Sequence, residues 1–217
     1  MIISHDHEEY MKKWLVCGGK HNGAYYYSRE IVRNIIPHVN TDRNWITINI
    51  PGVGCDHAIV FIHNNLHSEH YDWLKAYKDL ILVCGIPETC EKVAHLGRAV
   101  YLPLSVDVEE VKAYKTRKKP RSVAYVGRRS KRRGIEFPPD VEYIEALPRP
   151  EFLARMAEYK KIYAVGRAAI EGLILDCEIL PYDPRFPDPE RWQVMDNLEA
   201  AALLQRTLNE IDGGRND

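Results

Sequence analysis

Short apolar runs alternate with amphipathic stretches almost from the start of the chain. Residues 14–17 (WLVC) form a brief apolar run that enters Gly18 and Gly19. Residues 28–39 follow with Ile31, Val32, Ile35 and Ile36 on one helical face and Ser28 in capping position. Residues 45–50 (WITINI) alternate as a half-buried strand and stop at Pro51-Gly52. Residues 58–62 (AIVFI) are continuously apolar, the mark of a strand covered on both faces, and end at His63-Asn64-Asn65. A helix is expected near 69–77, a strand at 80–84 (LILVC), a helix from Pro87 to Gly97, and a strand at 99–102. Strand and helix repeating with short connections predict a parallel sheet with helices on both faces.

Residues 106–121 break the pattern with charge, and a domain boundary is expected near 118. The repetition then restarts: strands at 122–126, 141–144, 161–165 and 178–181, helices at 150–159 and 168–175. After the Pro-rich turn PYDPRFPDP, residues 189–211 carry a helical period with Trp192, Met195, Leu198, Ala202 and Leu203 on one stripe. The expected organisation is a first Rossmann-like lobe at 1–118, a second at 119–188, and a C-terminal helix at 189–211 packing back across the first lobe.

Composition adds three constraints. No apolar run approaches the roughly 18 residues of a membrane span, and the opening MIISHDHEEY lacks a signal-peptide pattern, so a cytoplasmic protein is expected. The five cysteines stand apart without a C-x-x-C pair, which argues against a disulfide framework or a zinc ribbon. Net charge is −1, yet residues 112–133 hold eleven Lys or Arg and no acid. The positive charge is concentrated in one stretch.

Ligands of open parallel sheets bind at the carboxyl ends of the strands. Gly18 and Gly19 follow the first strand, His63 the third, the basic loop GRRSKRRG (127–134) the first strand of the second half, and Gly166-Arg167 a later one. Glycines permit close backbone approach to an oxyanion, and helix N-termini offer N–H groups to phosphate. Arg128 and Lys131, three apart, are spaced to meet one anion. The stretch after residue 17 is neither G-x-G-x-x-G nor a P-loop, which argues against a dehydrogenase or a nucleotide triphosphatase. HNNLHSEH (63–70) invites a metal reading, but its histidines scatter over an expected loop.

In order, VAYVGRRSKRRG and then KIYAVGRAAIEGLILDCEIL (161–180) resemble the C-terminal lobe of the large retaining GT-B glycosyltransferase family, family four. The residues AVYLPLSVDVEEV (99–111) resemble the family's lead into its interdomain linker. The resemblance implies a nucleotide-sugar bound between two lobes, with no metal and no cofactor beyond that co-substrate. Arg128 matches the family's phosphate-binding Arg, and its Lys has candidates in Lys131 or the Arg132-Arg133 pair. Glu171 falls on the Glu that hydrogen-bonds the donor ribose. Gly166 and Arg167 would join the donor site, Gly18 and Gly19 would close it from the first lobe, and His63 would stand beside the sugar as the catalytic residue.

Two departures bear on activity: Tyr163 stands where an earlier Glu usually orients the sugar, and Asp176-Cys177-Glu178 replaces a small turn. The acceptor is open, with DNA or another anionic polymer suggested by charge. Two other readings stand beside enzyme action. The 112–133 run, interleaved with Tyr114 and Tyr125, would serve a nucleic-acid or anionic-polymer binding protein, and Tyr163 would suit an inactive nucleotide-sugar-binding module. A monomer and a homodimer both fit.

Overall fold

Strands form where β-branched and aromatic residues cluster between Gly and Pro punctuation. The computed structural model describes residues 2–3, 30–46, 57–62, 72, 74–75, 77–127, 134–184 and 186–213. The chain divides into unit 1, Met1–Leu104 with Asn197–Asp217, and unit 2, Ser105–Asp196.

Unit 1 contains β1 (Ile2–Ile3), β2 (Asn44–Ile46), β3 (His57–Ile62), β4 (Asp79–Cys84) and β5 (Arg98–Tyr101), all parallel and adjacent in sequence order. β3 and β4 are buried on both faces beyond their first residues, as their unbroken apolar runs predict. Val60, Ile62, Leu80, Leu82 and Val93 form one part of the core, and Trp45 stacks on Phe61 at 6.0 Å. Helix α1 (Pro87–Val93) opens with proline, whose missing N–H has no helical partner to lose there. The strand Ile2–Ile3 was not expected, and the expected strand at 14–17 lies outside the described residues, as does most of the helix near 69–77.

Residues 28–39 were expected to form a regular helix. The described part is instead a π-helical turn, Ile31–Ile35, running into a 3-10 turn, Ile36–His38. The Ile36 N–H donates to the Ile31 carbonyl, five residues back. Pro37 cannot donate the next helical bond, so the α-helical ladder has no continuation at this point.

Unit 2 begins with α2 (Val108–Lys112), whose cap Asp107 accepts from the Glu110 N–H at 2.8 Å. Then follow β6 (Arg121–Val126), β7 (Glu142–Ile144), α3 (Arg149–Ala157), β8 (Tyr159–Tyr163), α4 (Arg167–Ile174) and β9 (Glu178–Leu180). The sheet is parallel with order β7-β6-β8-β9. A Cβ on Gly172 would run into Ile162 and stand 2.9 Å from Ile179 Cδ1, so glycine lets α4 lie close on β8 and β9.

The boundary expected near 118 falls at 104/105, and residues 105–118 belong to unit 2. Their charge reads as a linker, yet Val111 is fully buried, α2 packs on α4, and Lys115 pairs with Asp176 at 2.8 Å.

The C-terminal helix α5 spans Asn197–Gly213 and belongs to unit 1. Residues 192–196 are not helical, which corrects the expected start at 189. The later start also changes the buried stripe. Ala201, Leu204, Leu208 and Ile211 are buried, whereas Leu198 is 58% exposed. Arg43, itself buried, ties α5 to β4 by pairing with Asp212 and Asp79, each at 2.9 Å. Asn197 donates to Glu30 at 2.7 Å. Among the described residues no helix is long and apolar enough to cross a membrane.

Candidate functional site

An open parallel sheet leaves a crevice where its strand order reverses, because the connections on either side depart in opposite directions. The described strands of unit 1 run in sequence order and contain no reversal. Unit 2 reverses between β6 and β8, which directs attention to their carboxyl ends.

β6 ends at Gly127, where a Cβ would lie 2.8 Å from the Tyr125 hydroxyl. β8 leads through Ala164 and Val165 to Gly166, which has φ 63° and ψ −138° and introduces α4. That backbone conformation is open to glycine and strained for other residues. Helix α4 starts directly after that glycine, beyond the carboxyl end of β8.

Register brings three tyrosines into one row, because Tyr125 pairs with Tyr143 on one side and Tyr163 on the other. Phe137 packs 5.2 Å from Tyr125 and 4.9 Å from Tyr163, and Tyr182 packs edge-on against Tyr125 at 5.4 Å. Tyr125 is fully buried while Tyr143 is 48% exposed. Asp183, next to Tyr182, is buried in the segment that follows β9.

A buried charge cluster lies on α3 and α4. Arg149 donates to Glu171 Oε1 at 2.5 Å and to Glu110 at 3.1 Å, and Arg167 reaches the same Glu171 oxygen at 3.3 Å. Burial works against the charge on Arg149, but Glu171 and Glu110 outweigh it and hold its pKa above the ordinary arginine value. Glu171, expected on a ribose, is thus the counterion of two guanidiniums, and Arg167 turns toward it at the start of α4.

Of the expected site residues, the structure brings Gly166, Arg167 and Glu171 together on α4. Gly18, Gly19, His63, Arg128, Lys131 and Arg133 lie outside the described residues, as does the HNNLHSEH segment. Among the described residues no group of three or more His, Cys, Asp or Glu is placed to hold a metal ion.

The 112–133 basic run is not one uniform surface. Lys112 pairs with Glu109 at 2.8 Å, and Arg121 with Glu142 at 2.7 Å and Glu158 at 2.9 Å. Lys119 donates to the carbonyls of Ala157 and Tyr159 at 3.1 and 3.0 Å, closing the end of α3. Arg117 and Lys118 are exposed.

Sequence reading missed Arg149 and the aromatic pair of Phe137 and Tyr143, while Tyr182-Asp183 was expected at the carboxyl end of the last strand. A signal existed for the tyrosine row, since Tyr125, Tyr143 and Tyr163 are each the last or penultimate residue of a strand. Nothing in the spacing of Arg149 and Glu171 announces their pairing. Compared with known proteins, the chain matches no protein-family model and no curated protein sequence.

Proposed function

We propose that the chain is a GT-B-type glycosyltransferase that binds a nucleotide-sugar donor on unit 2, at the carboxyl ends of β6 and β8. The observation that carries this reading is the reversal of strand order there, with Gly127 on one side and Gly166 opening α4 on the other. Such a reversal is where mononucleotide-binding sheets take their ligand. Between Gly127 and Gly134 the sequence holds six residues, five of them Arg or Lys, including Arg128, Lys131 and Arg133. These charges stabilise the diphosphate, both bound and as the leaving group, in place of a metal ion. The N-terminus of α4 adds N–H donors and a partial positive charge.

The protein's part in the reaction is positioning and charge stabilisation for a loose, oxocarbenium-like transfer. Arg167 is held at the start of α4 by Glu171, which Arg149 in turn fixes. A ribose bond to Glu171 requires that carboxylate to share its ion pairing with a hydroxyl. In this reading Gly18, Gly19 and His63 are assigned to the acceptor, which is an anionic polymer or DNA.

The test is to incubate the full chain with UDP-, GDP-, dTDP-, ADP- and CMP-sugars and measure free nucleotide released. Release that disappears in Arg128→Ala/Lys131→Ala supports the enzyme. Binding without release from any donor favours the inactive module instead, a reading that rests on Tyr163 in place of the usual Glu.

A further inference from the structure

We propose that Tyr143, backed by Tyr125, Phe137, Tyr163 and Tyr182, is a stacking platform for a single aromatic base, the nucleobase of the nucleotide taken by the site above. The inference rests on that donor-site reading and names the part of the ligand that unit 2 recognises through its sheet face.

The two faces of the unit 2 sheet differ. Ile162 and Ile179 meet Gly172 of α4, so that helix lies on their face. The β7–β8 and β8–β9 connections step in the same direction across the sheet, and right-handed crossovers put α3 on that face too. Tyr125, Tyr143 and Tyr163 alternate with those residues and occupy the opposite face. The β6–β7 connection steps the other way, and its Phe137 packs on the tyrosines.

Within the group the rings pack against one another in tilted and edge-on arrangements. Tyr125 and Phe137 stand at 50° and 5.2 Å, and Phe137 and Tyr163 at 60° and 4.9 Å. Tyr125 is enclosed, and Phe137, Tyr163 and Tyr182 are half-buried, whereas Tyr143 is nearly half exposed at 48%. One exposed ring on a rigid aromatic base fits one planar ligand better than a strand of several bases.

Charge selects the kind of planar ligand. In the sequence, five basic residues lie between Gly127, which follows Tyr125's strand, and Gly134, which precedes Phe137. A planar group carrying negative charge answers both features. From β7 to β8 is two strand spacings, about 10 Å. A base on Tyr143 would thus stand across β6 from the Gly166 turn, a separation that a ribose and diphosphate bridge.

The test uses the full chain with Tyr143→Ala and Tyr143→Phe, and isothermal titration with UDP, GDP, ADP, CDP, dTDP and inorganic pyrophosphate. The expected result is about tenfold weaker binding of the preferred nucleoside diphosphate by Tyr143→Ala. Pyrophosphate affinity should be unchanged, Tyr143→Phe should bind like the parent, and both variants should melt like it. Equal nucleotide affinity in Tyr143→Ala and the parent overturns the platform while leaving the donor site standing. An equal loss for nucleotide and pyrophosphate also overturns it, because stacking acts on the base alone. Failure of every nucleotide and of pyrophosphate to bind the parent removes both the platform and the donor site.

Discussion

Arg149 and Glu171 face each other at 2.5 Å with side-chain exposures of 10% and 3%, joining α3 to α4 through a buried ion pair. Removing the carboxylate leaves Arg149 and Arg167 buried with less compensation. Glu171→Ala is therefore expected to lower the stability of unit 2 by about 3–5 kcal/mol, read as a drop in urea midpoint. Glu171→Gln keeps a hydrogen-bond acceptor and should cost less. A binding defect in Glu171→Ala then reports on folding as much as on ribose recognition, so that variant is a poor probe of the donor site.

The close approach of α4 to the sheet predicts an unusual alanine effect. Gly172→Ala gains about 1 kcal/mol of helix propensity, but its methyl meets Ile162 and Ile179 in a packed core. Overpacking costs about 1–3 kcal/mol, so a net loss of about 1 kcal/mol is expected in thermal melts.

Acid should weaken the edge of the unit 2 sheet. A hydrogen bond from Arg121 holds the Glu142 carboxyl below its ordinary range, with Arg155 acting in the same direction. A depressed native pKa gives stability that is present above the unfolded value of about 4.3 and is lost as pH falls through the native value. Glu142→Gln should therefore lose less melting temperature than the parent between about pH 5 and about pH 3.

The phase of α5 is testable with two leucines. Leu204 is fully buried and Leu198 is 58% exposed. Leu204→Ala should cost about 2–5 kcal/mol, and Leu198→Ala within about 0.5 kcal/mol of nothing, in chemical denaturation of the full chain.

Much of the fold was legible because its strands are short apolar runs closed by Gly or Pro. The expected strands at 122–126, 161–165 and 178–181 lie within a residue or two of β6, β8 and β9. The C-terminal helix failed differently. Trp192 and Met195 match a helical period, yet residues 192–196 are not helical, with Val106 bridged to Asp196, and the true period starts at Asn197. Local periodicity could not reveal that bridge, which joins residues far apart in sequence. The same holds for the charges of 105–118, whose buried Val111 and paired Lys115 turn an apparent linker into part of unit 2. At the candidate site, the i, i+4 spacing of Arg167 and Glu171 places them on one helix face, yet the sequence pointed both toward a donor rather than toward each other. Arg149 was not legible, because only the packing of α3 on α4 brings it to Glu171.

A donor nucleotide on unit 2 is read out by thermal shift of the full chain with the five nucleotide-sugars, with and without EDTA. A ligand that binds only the folded state at about 100 times its dissociation constant adds roughly 2.7 kcal/mol. One donor should raise the melting temperature, EDTA should not change this, and Arg128→Ala/Lys131→Ala should abolish it. No shift with any donor, or a shift that this double variant leaves intact, would rule out a donor nucleotide held by the basic residues of unit 2.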